Sequence, residues 1–442
     1  MRTLTFKKGI FPPHRKGTDR AETVIIMPNK GDVLIYPMHQ HIGAPCEPLV
    51  EVGDRVLVGQ KIGDSAAFLS SPIHATVSGI VEKIGPSLMP SGQSSTSVFV
   101  YCDGQMEEDA AINRAYDYQN MDRDEILDVI HQSGLVGLGG AGFPTHVKLK
   151  PPPGKNIDTV IVNVAECEPY LTTDHRVVVE ETEKILLGLM VVLSLFPDAR
   201  GIIGVETNKM DGIEALEALC AKEPFLGRIT VARLLPKYPQ GAEKQLIYAV
   251  TGREVPSGGL PADIGCIVHN VDTIIAIHRA IFRGRPIMRK IVTVSGGAVK
   301  NPGNYKVRLG MRCEDLINAI GGFKTEPFKL ITGGPMMGSA LFTLDVPVTK
   351  LTAGVLALTE AETDISPELN CIRCGRCVEV CPVNLMPFEL NYFAVTGQRR
   401  KFRDTGGMDC IECGCCSYIC PSKRHLIQSI RVERREILKE RD

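Results

Sequence analysis

The sequence lacks an excess of either charge, a long apolar run and a secretory signal, and each absence excludes a class of protein. Its 442 residues include 50 Lys and Arg against 51 Asp and Glu, so a basic surface for nucleic acid is not expected. The longest apolar run, at positions 185–196, is shorter than the roughly 20 residues that a membrane-spanning helix needs. We therefore expect a cytoplasmic protein of about two to four domains.

Cysteine is the residue type whose positions are most clearly patterned. Of the 15 cysteines, seven are scattered and predict no disulfide framework. The other eight repeat the spacing C-x2-C-x2-C-x3-C-P twice: Cys371, Cys374, Cys377 and Cys381 before Pro382, then Cys410, Cys413, Cys416 and Cys420 before Pro421. This is the spacing of bacterial ferredoxins, in which three thiolates bind one cluster and the fourth binds the other. The sequence therefore predicts two [4Fe–4S] clusters and single-electron transfer.

The spacing also predicts which thiolates share a cluster. The first three cysteines of the first run would bind one cluster with Cys420, and the first three of the second run would bind the other with Cys381. A pair of zinc sites is the alternative, although zinc usually takes two separated C-x2-C pairs. Cys415 interrupts the strict repeat, and we interpret it as a bystander.

The N-terminal region is rich in Pro, Gly, Val and Ile and has little helical periodicity. Two of its segments, at 50–60 and 71–81, mirror each other and resemble the halves of a biotinyl/lipoyl-type barrel-sandwich hybrid. The stretch 64–71 between them contains no lysine to which a cofactor could be attached. We therefore expect an unmodified barrel-sandwich domain at residues 1–115.

The following region alternates helical and strand patterns. A capping box at Asp122 and Glu125 predicts a helix that ends at Gly134. Apolar runs at 159–164 and 201–205 predict buried strands, with a helix at 182–196 between them. This alternation predicts a doubly wound α/β domain, which we place at residues 116–288.

Two smaller domains are expected after the α/β domain. Residues 289–350 resemble the β-grasp module called SLBB, in which 290–323 predict strand, turn, strand and helix. Residues 360–430 contain the cysteine runs and predict an α-helical, ferredoxin-type domain with two [4Fe–4S] clusters. The charged residues after Ser429 predict a solvated helix.

A glycine-rich segment at 137–148, G-L-G-G-A-G-F-P-T-H-V-K, is the second chemical feature of the sequence. Glycines let the backbone approach an anion closely, and Lys148 adds a positive charge. The segment matches G-x-G-x-x-G, but it follows a predicted helix, whereas a Rossmann loop follows a strand. A plain glycine turn is the alternative, and we interpret the neighbouring His146 as structural.

Four segments in order resemble the FMN-binding flavoprotein subunit of respiratory complex I. They are the glycine-rich segment, N-V-A-E-C-E-P-Y at 163–170, Y-P-Q-G-A-E at 238–243 and N-V-D-T at 270–273. The resemblance implies an FMN and NAD(H) site formed by Gly137, Gly139, Gly140, Gly142, Phe143, Lys148, Asn163, Glu166, Glu168, Tyr238, Glu243, Asn270 and Thr273. Among these, Phe143, Glu168 and Glu243 would face NAD(H), and Glu166 would contact the flavin or only stabilise the site.

The sequence departs from the complex I pattern at four positions. Ala165 and Ala242 replace acids of that family, and Pro151 and Leu260 lie where its aromatic nucleotide contacts would be. These departures weaken the implied NAD(H) contacts more than the implied FMN contacts.

The complete arrangement resembles the RnfC family, whose members belong to Rnf complexes, the ion-translocating ferredoxin:NAD+ oxidoreductases. The resemblance includes the order of the domains and the segment G-G-P-M-M-G at 333–338. It implies a peripheral subunit on the cytoplasmic side of the cell membrane, bound to the other subunits and especially to a ferredoxin-like cluster subunit. Electrons would pass between NAD(H) and that partner through FMN and the two clusters, without a general acid or base from this chain.

Two other functions are compatible with these motifs. A cobalamin reductase-type enzyme would share the flavin and iron–sulfur motifs, but its glycine loop lies near the N-terminus, whereas here the loop begins at Gly137. A non-catalytic iron–sulfur relay with a vestigial flavin site is the second alternative, and Ala165 and Ala242 motivate it.

Overall fold

The computed structural model describes residues 3–440, and residues 3–115 form strands but no α-helix. The strands are β1 (Val24–Ile25), β2 (Val33–Pro37), β3 (Glu47–Pro48), β4 (Arg55–Val56), β5 (Lys61–Asp64), β6 (Ile73–His74), β7 (Gly79–Leu88) and β8 (Ser94–Cys102). An antiparallel sheet in the order β2-β8-β7-β4 packs against a sheet in the order β3-β5-β6. Leu34, Val56, Ile62 and Val98 belong to the apolar core that the two sheets share, so this region has the predicted β-rich organisation.

The next region alternates helices and strands as the sequence predicts. Its elements are α1 (Arg123–Gln132), α2 (Thr145–Lys148), β9 (Thr159–Val164), α3 (Thr173–Glu180), α4 (Thr182–Ser194), β10 (Arg200–Glu206), α5 (Met210–Cys220), β11 (Ile229–Leu234), α6 (Glu243–Thr251), β12 (Cys266–Asn270) and α7 (Val271–Arg283). The capping box of Asp122 and Glu125 is formed, and Gly134 follows α1 with a φ of 70°. The expected helices and strands of this region are confirmed.

The central sheet is parallel and has the strand order β11-β10-β9-β12. Alternate residues of β9 enter opposite cores: Val160 and Val162 pack with α4 and α7, whereas Ile161 packs with α6. The chain adds strands to one side of β9 and then returns to the other side with β12. This reversal is a topological switch point, and ligands of such sheets bind at the carboxyl ends of the strands beside it.

A six-stranded sheet forms the third region. Its further elements are β13 (Arg289–Ser295), β14 (Gly303–Arg308), α8 (Cys313–Ala319), β15 (Lys329–Thr332), β16 (Ser339–Leu341) and β17 (Gly354–Leu358). The strand order is β1-β14-β13-β17-β15-β16, so a strand from the N-terminal region completes one edge. The segment 333–338 connects β15 to β16.

The C-terminal region is helical and repeats one pattern twice. Its helices are α9 (Arg376–Glu379), α10 (Pro387–Val395), α11 (Arg399–Asp404), α12 (Cys415–Ile419) and α13 (Leu426–Lys439). In each half, a cysteine loop enters a short helix through a glycine in the left-handed region, Gly375 at φ 79° and Gly414 at φ 76°. A non-glycine residue rarely adopts this conformation, which accounts for the glycine after the second cysteine of each run.

The expectation of a solvated C-terminal helix is wrong. One face of α13 is buried through Ile430 and Ile437, which pack in the core of the cluster domain. On a neighbouring face, Arg431 and Arg434 bind the carboxylate of Glu412, which lies in the second cysteine loop. The charged residues therefore support the cluster region, because opposite charges on two elements hold them together.

Candidate functional site

The glycine-rich segment lies over the switch point of the parallel sheet. The backbone N–H of Leu138 donates a hydrogen bond to Oγ1 of Thr273 at 3.0 Å. A Cβ on Gly139 would lie 2.6 Å from Cγ of Asn270, so only glycine allows this approach. Asn270 also caps α7, since its side-chain oxygen accepts from the N–H of Asp272. The segment therefore meets the positive end of a helix, which is a favourable position for a phosphate.

Lys148 and Glu243 lie together beside this segment. Nζ of Lys148 is 2.7 Å from Oε1 of Glu243, which is the first residue of α6. Both side chains, together with Phe143, line a cavity of about 960 Å³. The cavity also contacts Pro151 and Leu260. The structure thus brings an aromatic ring, a cation and an acid to one open cavity of a size suited to a ligand.

Asn163 is placed at the carboxyl end of β9, opposite Asn270 in the register of the sheet. Its Nδ2 donates to the carbonyl oxygen of Gly241 at 2.8 Å, and its Oδ1 accepts from the N–H of Ala165 at 3.0 Å. A Cβ on Gly241 would clash with the carbonyl oxygen of Ala165. Asn163 therefore holds the 238–243 loop against the strand end, and the loop approaches closely because residue 241 is glycine.

Tyr238 points away from the cavity and toward the cluster domain. Its side chain is 1% exposed, and its hydroxyl donates to the carbonyl oxygen of Cys413 at 2.7 Å. Burial and nearby negative charge raise the pKa of Tyr238 well above its usual value, so the hydroxyl keeps its proton. Tyr238 thus connects the α/β domain to the second cysteine loop.

Glu166 does not face the cavity. Its carboxylate accepts hydrogen bonds from Oγ1 of Thr173 at 3.1 Å and from the N–H of Asp174 at 2.9 Å, at the start of α3. Nζ of the buried Lys16 is 4.0 Å away. Of the two roles expected for Glu166, the structure places it in the supporting one.

Glu168 is held by the segment 333–338, for which the sequence indicated no role. Its two carboxylate oxygens accept from the N–H of Met336 at 3.0 Å and of Met337 at 2.9 Å. A Cβ on Gly334 would clash with the carboxylate. Burial raises the pKa of Glu168 to about 7, although these two hydrogen bonds oppose the shift. The paired glycines of G-G-P-M-M-G were the only signal, because adjacent glycines mark a close backbone approach.

Two charged residues near the switch point were missed by the sequence analysis. Asp174 accepts from Nδ2 of Asn270 at 2.8 Å, and burial together with the charge of Glu166 raises its pKa. Lys290 donates to the carbonyl oxygen of Leu138 at 3.1 Å and to Asp272 at 2.6 Å. These side chains support the glycine-rich segment from below, and nothing in their local sequence distinguishes them from ordinary core residues.

The eight motif cysteines line two separate cavities. One, of about 240 Å³, is lined by Cys371, Cys374, Cys377 and Cys420. The other, a narrower one of about 20 Å³, is lined by Cys381, Cys410, Cys413 and Cys416, with Cys415 at its edge. Each cavity thus receives three thiols from one run and the fourth from the other run. The donor sets fit two [4Fe–4S] clusters.

The two cysteine loops have matching backbones. The N–H of Arg373 donates to Sγ of Cys371, and the N–H of Glu412 donates to Sγ of Cys410, each at 3.4 Å. Both donors have a φ of 55°, which turns their amides toward the sulfur atoms. Hydrogen bonds to the sulfurs are one of the factors that set the potential of an iron–sulfur cluster.

Four protein-family models match the chain. The model described as the RnfC barrel sandwich hybrid domain matches residues 4–105, and the Nuo51 FMN-binding domain matches residues 130–279. The SLBB domain matches residues 291–340, and the 4Fe-4S dicluster domain matches residues 370–424. An FMN-binding domain and a dicluster domain are therefore present in one chain.

Curated relatives are similar to most of the chain, and all three described here are the C subunits of their complexes. That of the Na(+)-translocating ferredoxin:NAD(+) oxidoreductase complex of Acetobacterium woodii is 46% identical over 437 residues, which cover 99% of this chain and 98% of the relative. That of the proton-translocating complex of Clostridium ljungdahlii is 44% identical over 97% of this chain and 93% of the relative. That of the ion-translocating oxidoreductase complex of Rhodobacter capsulatus is 38% identical over 88% and 75%.

A solved NAD+-reducing [NiFe]-hydrogenase in its H2-reduced state has a similar fold, with a TM-score of 0.50 at 18% identity. The similarity covers 72% of this chain and 63% of the hydrogenase chain, so it concerns the fold alone. Together with the family models, it confirms the expected combination of barrel-sandwich, complex I-like α/β, SLBB and cluster domains. Within residues 3–440, no helix has the length and hydropathy required to cross a membrane.

The first prediction concerns the assignment of thiolates to clusters. Cys374→Ala should remove one of the two clusters, because it deletes a ligand that the other run cannot replace. We expect about four irons per chain instead of about eight, with the bound flavin unchanged. Iron, sulfide and flavin analysis of anaerobically purified protein measures this. The matched control is Cys415→Ala, which should keep all iron; loss of iron in this control would show that Cys415 is a ligand.

The second prediction concerns Lys148. Lys148→Ala should weaken FMN binding by about tenfold or more, because a cation that faces a phosphate is lost, while the iron content stays the same. Fluorescence titration with FMN measures the dissociation constant. Lys150→Ala is the control, since Lys150 lines the same cavity but pairs with Asp124 at 3.0 Å. Equal loss of iron and FMN in Lys148→Ala would instead mark a structural residue.

Proposed function

Because the chain belongs to the RnfC family of ion-translocating ferredoxin:NAD(+) oxidoreductase complexes, we propose that it exchanges electrons between NAD(H) and a ferredoxin-like cluster subunit of such a complex. The observation that carries this proposal is the direct hydrogen bond between the FMN-binding domain and a cysteine loop, from Tyr238 to Cys413. The chain is then a peripheral subunit on the cytoplasmic side of the membrane complex, and the other subunits carry out ion translocation.

The flavin site follows from the geometry at the switch point. FMN, when bound, exchanges a hydride with NAD(H) and single electrons with an iron–sulfur cluster. Gly137, Gly139, Gly140 and Gly142 would let the backbone approach its phosphate, which faces Lys148 and the N-terminus of α7, where Asn270 and Thr273 lie. Asn163 would face the flavin from the end of β9. The backbone amides, the cation and the helix end all favour an anion in this position.

The NAD(H) contacts would come from the other side of the cavity. Phe143 offers an aromatic face, and it is 36% exposed in the protein. Glu243 and Glu168 can accept hydrogen bonds from the ribose hydroxyls or the carboxamide. Lys148 already neutralises Glu243, so the acid can lie near a phosphate without strong repulsion.

The order of the two clusters follows from their contacts. The cluster of Cys381, Cys410, Cys413 and Cys416 would be next to the flavin, because its loops contact the α/β domain. Nε2 of Gln245 donates to the carbonyl oxygen of Pro382 at 3.3 Å, and Tyr238 binds the Cys413 carbonyl. In the other set, Cys371 and Cys374 are exposed, so that cluster would exchange electrons with the partner subunit.

We retain the predicted domain boundaries as part of this proposal: 1–115, 116–288, 289–350 and 360–430. Each family-model match lies within one of these ranges. The cluster domain provides the exposed thiols and is therefore the expected docking region for the ferredoxin-like partner.

Anaerobic cofactor analysis followed by titration with NADH tests the proposed function. About eight irons and one FMN per chain, with both the flavin and cluster absorbance bleached by NADH, would agree with it. Eight irons with no flavin retained or rebound would favour a non-catalytic relay. Reduction of cob(II)alamin at the rate of NADH turnover would favour a cobalamin reductase.

The third prediction concerns the hydrogen bonds between the 333–338 segment and Glu168. We expect NADH to bind best when Glu168 is ionised, so the KM for NADH should fall as pH rises, with a midpoint near pH 7. In Gly334→Ala the added methyl group displaces the carboxylate from its two N–H donors, which should raise that midpoint by about one unit. Steady-state NADH oxidation with ferricyanide between pH 6 and 9 measures it.

Two further variants make this test specific. Glu168→Gln should abolish the pH midpoint, because an amide does not ionise in this range. Gly85→Ala should leave the profile unchanged, since a Cβ there meets only the flexible end of Lys83. An unchanged midpoint in both Gly334→Ala and Glu168→Gln would contradict the role given to Glu168.

A further inference from the structure

Phe68 is an exposed aromatic residue that comes from the barrel-sandwich domain but lines the cavity of the α/β domain. It lies in the connection between β5 and β6, and 70% of its surface is exposed. The same cavity is lined by Phe143, Lys148 and Glu243, which the proposed function assigns to the nucleotide. A large apolar side chain left exposed at the rim of a polar cavity indicates that a ligand covers it.

The connection that carries Phe68 is fixed against the glycine-rich segment. The N–H of Ile42 donates to the carbonyl oxygen of Gly142 at 3.1 Å, and the N–H of Ala44 donates to the carbonyl oxygen of Leu69 at 3.0 Å. Burial lowers the pKa of His146 to about 4, against the opposing effect of the adjacent Phe68 backbone. The neutral His146 therefore packs against the connection without adding charge. These contacts place Phe68 beside the cavity in the protein without ligand.

The cavity has the chemistry of a dinucleotide site with one missing wall. Lys148, Lys150 and Lys155 supply positive charge for a pyrophosphate. The two positions at which aromatic contacts were expected are Pro151 and Leu260, and both line the cavity without providing an aromatic ring. Phe68 supplies such a ring from a different domain. An adenine base stacks well on an aromatic face, because both are flat and polarisable.

We propose that Phe68 is a binding residue for the adenine ring of NAD(H), so that the barrel-sandwich domain forms one wall of the dinucleotide site. The connection that would carry a modified lysine in a carrier domain carries this phenyl ring instead. The inference rests on the proposed function, because it assumes NAD(H) as the nucleotide. It gives the unmodified barrel-sandwich domain a direct part in substrate binding.

Equilibrium binding of ADP-ribose, which contains the adenine but not the nicotinamide, tests the proposal without turnover. Phe68→Ala should raise its dissociation constant about tenfold, as expected for loss of one base–aromatic stack. Phe68→Tyr keeps the ring and should bind within about twofold of the unaltered protein. The matched control is Phe342→Ala, since Phe342 is 82% exposed and lies outside the cavity lining. Isothermal titration calorimetry measures all four proteins, with iron and flavin content as a check on folding.

Kinetics with two hydride donors separate this proposal from the proposed function. In Phe68→Ala the KM for NADH should rise about tenfold with little change in kcat. Reduced nicotinamide mononucleotide has no adenine, so its kcat/KM should stay the same. Unchanged ADP-ribose binding, or an equal loss with both donors, would overturn the role of Phe68 while leaving NADH oxidation established. Absence of both NADH oxidation and ADP-ribose binding in the unaltered protein would overturn the proposed function itself.

Discussion

The hydrogen bond from the hydroxyl of Tyr238 to the carbonyl of Cys413 joins the two redox regions of the chain. A buried phenol must find a partner, because an unpaired hydroxyl in an apolar environment is costly. Tyr238 is surrounded by Ile10, Cys415 and Met336, which come from three other parts of the chain. The position of the cluster domain relative to the parallel sheet therefore depends on this junction. Electron transfer between the two regions requires such close contact.

The barrel-sandwich and SLBB regions hold this junction together through backbone contacts. Lys350 is 1% exposed, and its Nζ donates to the carbonyl oxygens of Pro72 at 2.7 Å and Gly134 at 2.8 Å. Burial lowers the pKa of Lys350 to about 7. One side chain thus connects the barrel-sandwich domain, the end of α1 and the segment before β17. The SLBB region adds the hydrogen bonds of the 333–338 segment to Glu168. Two domains without a cofactor of their own therefore shape the site of another.

Much of the fold was predictable because its signals are local. The capping box of α1, the buried run of β9 and the glycine that begins each short cluster helix depend on residues within a few positions of each other. The pairing of thiolates was also predicted, since the four cysteines lining each cavity are those that ferredoxin spacing assigns. The expectation of a solvated C-terminal helix failed because charged residues on α13 bind Glu412 in another loop, which no periodicity reveals.

By itself the sequence determined the type of each element, the two cysteine sets and the presence of a glycine-rich anion site. These depend on backbone conformation, spacing and the chemistry of thiolates. Only the tertiary structure decided that Glu166 turns into the protein, that Glu168 meets the amides of Met336 and Met337, and that Phe68 reaches the cavity of a different domain. Partners such as Glu168 and Met336 lie 168 positions apart. Contacts of this kind arise from the packing of whole domains, and local sequence does not encode them.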